Sequence, residues 1–240
     1  MMAAFGWGAV GGAALVLGAL IGLYVRVPRP VIGWITGLGG GVLTCSVTLE
    51  LVAGSLRTGG VLTTATALGL GAVTFAGGDY AVNRMGGKRR KRSTGADGRA
   101  KGIVLGALLD GVPESVAIGM SILSGGVGGV FVAAVFLSNV PEALSASVGL
   151  RRAGHRPNRI LALWVGIAAA SALAALVGNL AMAGATPGVM AGVNAFAAGA
   201  ILAMLASTMF PEATEEGGGP ATGIAVAAGF LIAVVLTEMA

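Results

Sequence analysis

The chain contains eight apolar runs of about 20 residues, the length a helix needs to cross about 30 Å of hydrocarbon: 5–24, 31–51, 61–80, 103–123, 127–150, 160–182, 188–210 and 221–238. None alternates apolar and polar residues with the period of a membrane barrel, so the runs predict helices. Of the 240 residues, 55% are hydrophobic and only 10% charged, against about a quarter charged in a soluble domain. The 43 glycines suit helices that pack through small residues in lipid, where the hydrophobic effect does not draw them together. The expected fold is an all-α polytopic membrane protein, one transmembrane domain over residues 1–240. The first run has no basic residue before it and leads into further spans, so it reads as the first helix and not as a cleaved signal.

The positions of the basic residues set an expected topology. Arg26 and Arg29 lie between runs one and two. Arg84, Lys88, Arg89, Arg90, Lys91, Arg92, Arg99 and Lys101 lie between three and four, and Arg151, Arg152, Arg156 and Arg159 between five and six. Of the 15 basic residues only Arg57 falls on the other side. The positive-inside rule then places these loops in the cytoplasm and both termini outside. Topology accounts for the net charge of +5 without a nucleic-acid partner. The longest basic stretch, 83–102, is expected to be a cytoplasmic loop touching anionic lipid headgroups. Cys45 is alone, which excludes a disulfide framework, and His155, the single histidine, falls in a short basic loop.

Ionisable groups at mid-membrane cost roughly 2.5–3.5 kcal/mol on the insertion scale, so each one calls for a reason. Glu50, Asp110, Glu114 and Glu142 fall within spans. The last three belong to two related segments, LLDGVPESVAIG (108–119) and FLSNVPEALSAS (136–147). Each carries Val-Pro-Glu, with a polar residue four positions before the glutamate: Asp110 before Glu114, Ser138 before Glu142. That spacing puts both members on one helix face. Each proline also releases the carbonyl four residues earlier, Leu109 or Leu137. Unpaired backbone oxygen at that depth belongs inside protein or against a hydrated cavity. A short glycine-rich turn near Gly126 predicts antiparallel neighbours, with Asp110 level with Glu142 and Glu114 level with Ser138. Carboxylates gathered in low dielectric share protons or hold a cation, and oxygen donors suit a divalent metal.

These segments resemble the ZIP (Zrt/Irt-like) family of divalent metal transporters, whose fourth span carries His-Asn-x-Pro-Glu-Gly and whose fifth carries x-Asn-x-Pro-Glu. The matching residues are Asp110-Gly111-Val112-Pro113-Glu114-Ser115 and Ser138-Asn139-Val140-Pro141-Glu142-Ala143. The resemblance implies eight spans in a 3+2+3 arrangement, with helices 1–3 and 6–8 forming an inverted repeat. Gly41 with Glu50 nine residues on, and Gly199 with Thr208 nine on and then Pro211-Glu212, echo such a repeat.

Carried over residue by residue, the metal ligands are Asp110, Glu114, Ser138 and Glu142, with Asn139 as a poorer ligand and Glu50 and Thr208 along the path. No prosthetic group is implied. The cargo is zinc by resemblance, with manganese, iron(II), cobalt or cadmium as alternatives, moved by alternating access, and a homodimer is expected. The usual histidine is replaced by Asp110, which makes the site harder and favours manganese, iron(II) or magnesium relative to zinc. Two other readings are a non-transporting relative that binds or senses metal, and an intramembrane hydrolase. The hydrolase reading lacks a histidine or lysine base within any span. Compact loops and the absence of a transit peptide point to a bacterial plasma membrane.

Overall fold

The computed structural model describes residues 1–84, 96–124 and 129–239, and these are helical with short connections. The α-helices are α1 (Met2–Tyr24), α2 (Arg29–Ser46), α3 (Ala53–Arg84), α4 (Ala96–Ser121), α5 (Gly129–Arg152), α6 (Pro157–Met182), α7 (Pro187–Met204), α8 (Phe210–Gly217) and α9 (Gly219–Met239). π-helical segments at Val47–Val52 and Leu205–Met209 join α2 to α3 and α7 to α8. Several starts follow from local chemistry. Prolines occupy the first turns of α2, α6 and α7, where a missing N–H costs nothing. The Thr186 hydroxyl accepts from the Val189 N–H at the start of α7.

Among the described residues, seven helical stretches are long and apolar enough to cross a membrane. The chain is therefore a membrane-embedded helical protein. The runs 31–51 and 61–80, expected as separate helices, lie in one helical stretch of 54 residues, Arg29–Val82. It is broken at Gly60, whose φ of 73° and ψ of 174° are not helical. Glu212, Glu215 and Glu216, which follow the run 188–210, lie in α8. The end of the basic stretch is helical, because α4 begins at Ala96. The rest of that stretch over 85–95, and the turn near Gly126, lie outside the described residues.

The two ends of the chain share one register. Arg29 and Pro187 begin α2 and α7, and Ser46 and Met204 end them, each pair 158 residues apart. Val47 and Leu205, which open the π segments, keep that separation. So do Tyr24 and Met182, where α1 and α6 end, and Gly60 and Gly218, both with positive φ. Thr64 and Thr222 follow the same spacing; both are buried, and each hydroxyl donates to the carbonyl of its positive-φ glycine.

Packing repeats with the register. A Cβ on Gly41 would strike the Val226 carbonyl oxygen, and one on Gly229 the Leu38 carbonyl oxygen, where α2 crosses α9. Gly199 meets the Leu68 carbonyl oxygen and Gly71 that of Phe196, where α7 crosses α3. Each of these residues is the other crossing's counterpart, 158 positions away. Such close crossings are the contacts that lipid-embedded helices use in place of hydrophobic association. Gly33, Gly37 and Gly41 meet Gly217, Thr222 and Val226 in that order, so α2 runs parallel to the α8–α9 stretch. Gly8 and Gly12 of α1 meet Ala175 and Ala168 in reverse order, so α1 and α6 run antiparallel.

Candidate functional site: a carboxylate-lined cavity

Inside this frame α5 packs chiefly on α1, and α4 chiefly on α6. The α4–α5 contact is a short crossing and not the extended antiparallel pairing expected from a tight turn. The crossing suffices to bring the two Val-Pro-Glu segments to one cavity of about 490 Å3. Asp110, Glu114, Ser138 and Glu142 all line it, four of the five ligands expected from sequence. Asp110, Glu114 and Ser138 are buried, at 9%, 2% and 3% exposure.

Ser138 and the backbone set the polarity of this wall. The Ser138 hydroxyl donates to the Val135 carbonyl at 2.9 Å, which leaves its oxygen lone pairs as acceptors. Pro141 lies within α5 and releases the Leu137 carbonyl. That carbonyl faces α2, where a Cβ on Gly39 would come within 2.9 Å of its oxygen. It is therefore not the cavity ligand that the sequence pattern suggested. Asn139 is also placed elsewhere: buried at 6% exposure, its amide donates to the Gly11 carbonyl at 3.1 Å and ties α5 to α1. Asn179 does the same between α6 and α4, donating to the Gly119 carbonyl at 3.0 Å.

The path residues separate. Thr208, in the second π segment, lines the cavity together with Met204, Glu212 and Glu216. Glu50, its counterpart in the 158-residue register, does not line it. Glu50 is half-buried and takes a backbone hydrogen bond from Phe131 near the start of α5. Gly149 and Arg152, at the other end of α5, lie on the cavity wall. Four residues before Glu50, the Ser46 hydroxyl is buried and has no hydrogen-bond partner among the described residues.

Exposure rises from Glu114, at 2%, to Glu216 and Arg29, whose side chains are 23% and 66% exposed. The cavity therefore has a buried acidic floor and an open mouth where Arg29, Arg152, Glu212 and Glu216 stand. Sequence reading passed over this mouth, although Glu212 and Glu216, four residues apart, carried the spacing of one helix face. Trp164 also lines the cavity and donates its indole N–H to the Ser147 hydroxyl at 2.8 Å.

Chemically the wall offers carboxylate and hydroxyl oxygen. Among the described residues, neither histidine nor lysine lines it. Among the described residues, no three His, Cys, Asp or Glu side chains converge closely enough to chelate a metal ion in this conformation. The carboxylates are gathered around one volume but not onto one point. Comparison with known proteins yields no match: neither a family model nor a curated protein matches the chain.

Proposed function

We propose that the protein is a divalent metal cation transporter of the ZIP type, with Asp110, Glu114, Ser138 and Glu142 as the transport site. The carrying observation is that four polar side chains from two sequence-related, proline-interrupted helices line one membrane-embedded cavity. Burying such groups is costly in lipid and is repaid where they handle an ion. The dispersed carboxylates fit a resting conformation, with Pro113 and Pro141 as points at which α4 and α5 bend to converge on cargo. Asn139 serves as a helix tie, not a ligand.

Under this reading Gly60 divides Arg29–Val82 into two spans, making eight in a 3+2+3 order. The 158-residue register is then the inverted repeat of helices 1–3 and 6–8, supported by the antiparallel crossing of α1 and α6. Inverted repeats of this kind exchange conformations to open a midplane site alternately to each side. The mouth bearing Arg29 and Arg152 faces the cytoplasm by the positive-inside rule, both termini lie outside, and the membrane is a bacterial plasma membrane. The cargo is zinc or another first-row divalent ion, and the chain acts as a carrier, not an enzyme.

The test is uptake of Zn, Mn, Fe(II), Co, Cd and Mg into proteoliposomes by wild type and Glu142→Gln. Saturable flux abolished by the substitution supports the carrier. Asp110 in the place of the family's histidine favours a second reading, a metal-binding sensor. Binding that depends on Glu142, without flux of any of these ions, would establish that reading instead.

A further inference from the structure

We infer that Glu50 is a latch: reaching from the π segment that joins α2 to α3, it caps the first turn of α5 and holds shut the side of the molecule opposite the cavity mouth. The Glu50 carboxylate accepts a hydrogen bond from the backbone N–H of Phe131, the third residue of α5. That N–H is one of those at a helix start that no carbonyl of the same helix can satisfy, and a carboxylate there also meets the favourable end of the helix dipole. Because the cap comes from another helix, it ties two elements together. Glu50 stands within the π turn Val47–Val52, a distortion frequent at functional sites. Arg152, at the mouth, follows Phe131 by 21 residues, about 30 Å of helix. The cap and the mouth therefore lie at opposite ends of α5.

The junction around this cap is packed. Val47, Leu51 and Phe131 are 0%, 6% and 1% exposed and belong to one apolar cluster. The related junction at the mouth is open. In the 158-residue register Glu50 and Leu51 correspond to Thr208 and Met209, and both of these line the cavity. Phe131 corresponds to Ile103 by the 28-residue offset between the two Val-Pro-Glu segments, and Ile103 lines the cavity too. The chemistry differs in the same sense. α5 starts two residues before Phe131 and so offers N–H groups that lack an intrahelical partner. α4 starts at Ala96, seven residues before Ile103, which places the Ile103 N–H inside the helix. An acid thus stands at the junction that offers a helix start, and a hydroxyl at the one that does not. The carboxylate stabilises closure on one side of the molecule only, and opening there has to break its bond to α5.

The latch rests on the transport reading only for its use, release of the far side during a transport cycle, and it is tested without metal on the full chain. In a Cys45→Ala background, Asn194→Cys places a thiol at the counterpart of the cavity residue Thr36, and Thr36→Cys reports on the mouth. The reagent is a water-soluble maleimide without charge, so that a charge lost at Glu50 does not itself alter the rate. Glu50→Ala should raise the Asn194→Cys rate by about tenfold, the lower end of what one hydrogen bond to a charged group contributes, while the Thr36→Cys rate holds or falls. Glu50→Gln keeps an acceptor without the charge, so it should raise the Asn194→Cys rate by only about threefold; it also carries the test if Glu50→Ala does not fold. A loss of packing alone would raise both rates together, and that result would overturn the latch. So would an Asn194→Cys rate unchanged by either substitution, or a thiol there that never reacts. A raised Asn194→Cys rate in a protein that moves no metal would support the latch and sink the carrier reading.

Discussion

Gly218 repeats, 158 residues later, the backbone conformation of Gly60: φ is 75° at one and 73° at the other. At both, ψ is extended, 174° at Gly60 and 123° at Gly218, a region open in practice only to glycine. No neighbouring atom lies within 4 Å of a Cβ at either site, so substitution meets backbone strain alone. Gly60→Ala and Gly218→Ala should therefore each destabilise the protein by about 1–3 kcal/mol. Thermal unfolding in detergent checks this; a loss at only one of the two would break the equivalence of the halves.

The crossings of α2 with α9 and α3 with α7 have the opposite cause of intolerance. Gly71→Ala would drive a methyl group into the Phe196 carbonyl, and Gly199→Ala into that of Leu68. Backbone cannot yield as a side-chain tip does, so each should cost about 3 kcal/mol or more. Gly77→Ala, on the same helix with nothing within 4 Å, should be neutral or slightly stabilising. Yield of monodisperse protein and its melting temperature would separate the three.

How far the sequence carried the structure depended on which signal a feature leaves. Run length gave the helices, and the paired Val-Pro-Glu segments gave the cavity wall, because a costly polar group in lipid stands out against its neighbours. The repeat was legible only at a few positions, such as Gly41 and Gly199, where backbone contact permits only glycine. Elsewhere the halves share shape with different residues: Phe75 and Ala233 are both buried core. Orientation was the weak point. Asn139 and the Leu137 carbonyl have the spacing of ligands but face α1 and α2, and spacing along one helix does not say which neighbour lies beyond each face. The acids of the mouth were missed because Glu212 and Glu216 follow a proline, which reads as a helix end, whereas α8 continues to Gly217.

Replacing Asp110 restores the donor that the resemblance lacks. Asp110 lies at the buried end of the cavity, where an imidazole is a softer donor than carboxylate. Asp110→His should raise zinc uptake relative to manganese by about tenfold, one ligand's worth of preference between borderline and hard ions. Competition between the two ions in proteoliposomes reads this directly. An unchanged ratio would show that Asp110 does not ligate the cargo.

The register also names the walls of the opposite access route. The cavity residues Thr36, Met204 and Thr208 have Asn194, Ser46 and Glu50 as counterparts. Glu50 sits near the other end of α5, and the buried Ser46 hydroxyl there has no partner among the described residues, a cost that a hydrated conformation would relieve. If the halves exchange conformations, a thiol at Asn194→Cys should become reactive toward water-soluble reagents as one at Thr36→Cys becomes protected. Conditions that shift the equilibrium, such as added cargo metal, should move the two rates in opposite directions, by about tenfold for a shift of about 1.4 kcal/mol between states. Glu50→Gln should slow uptake while leaving metal binding from the Arg29 side unchanged. Rates at Asn194→Cys and Thr36→Cys that rise and fall together would mean that the repeat is a scaffold and not a mechanism.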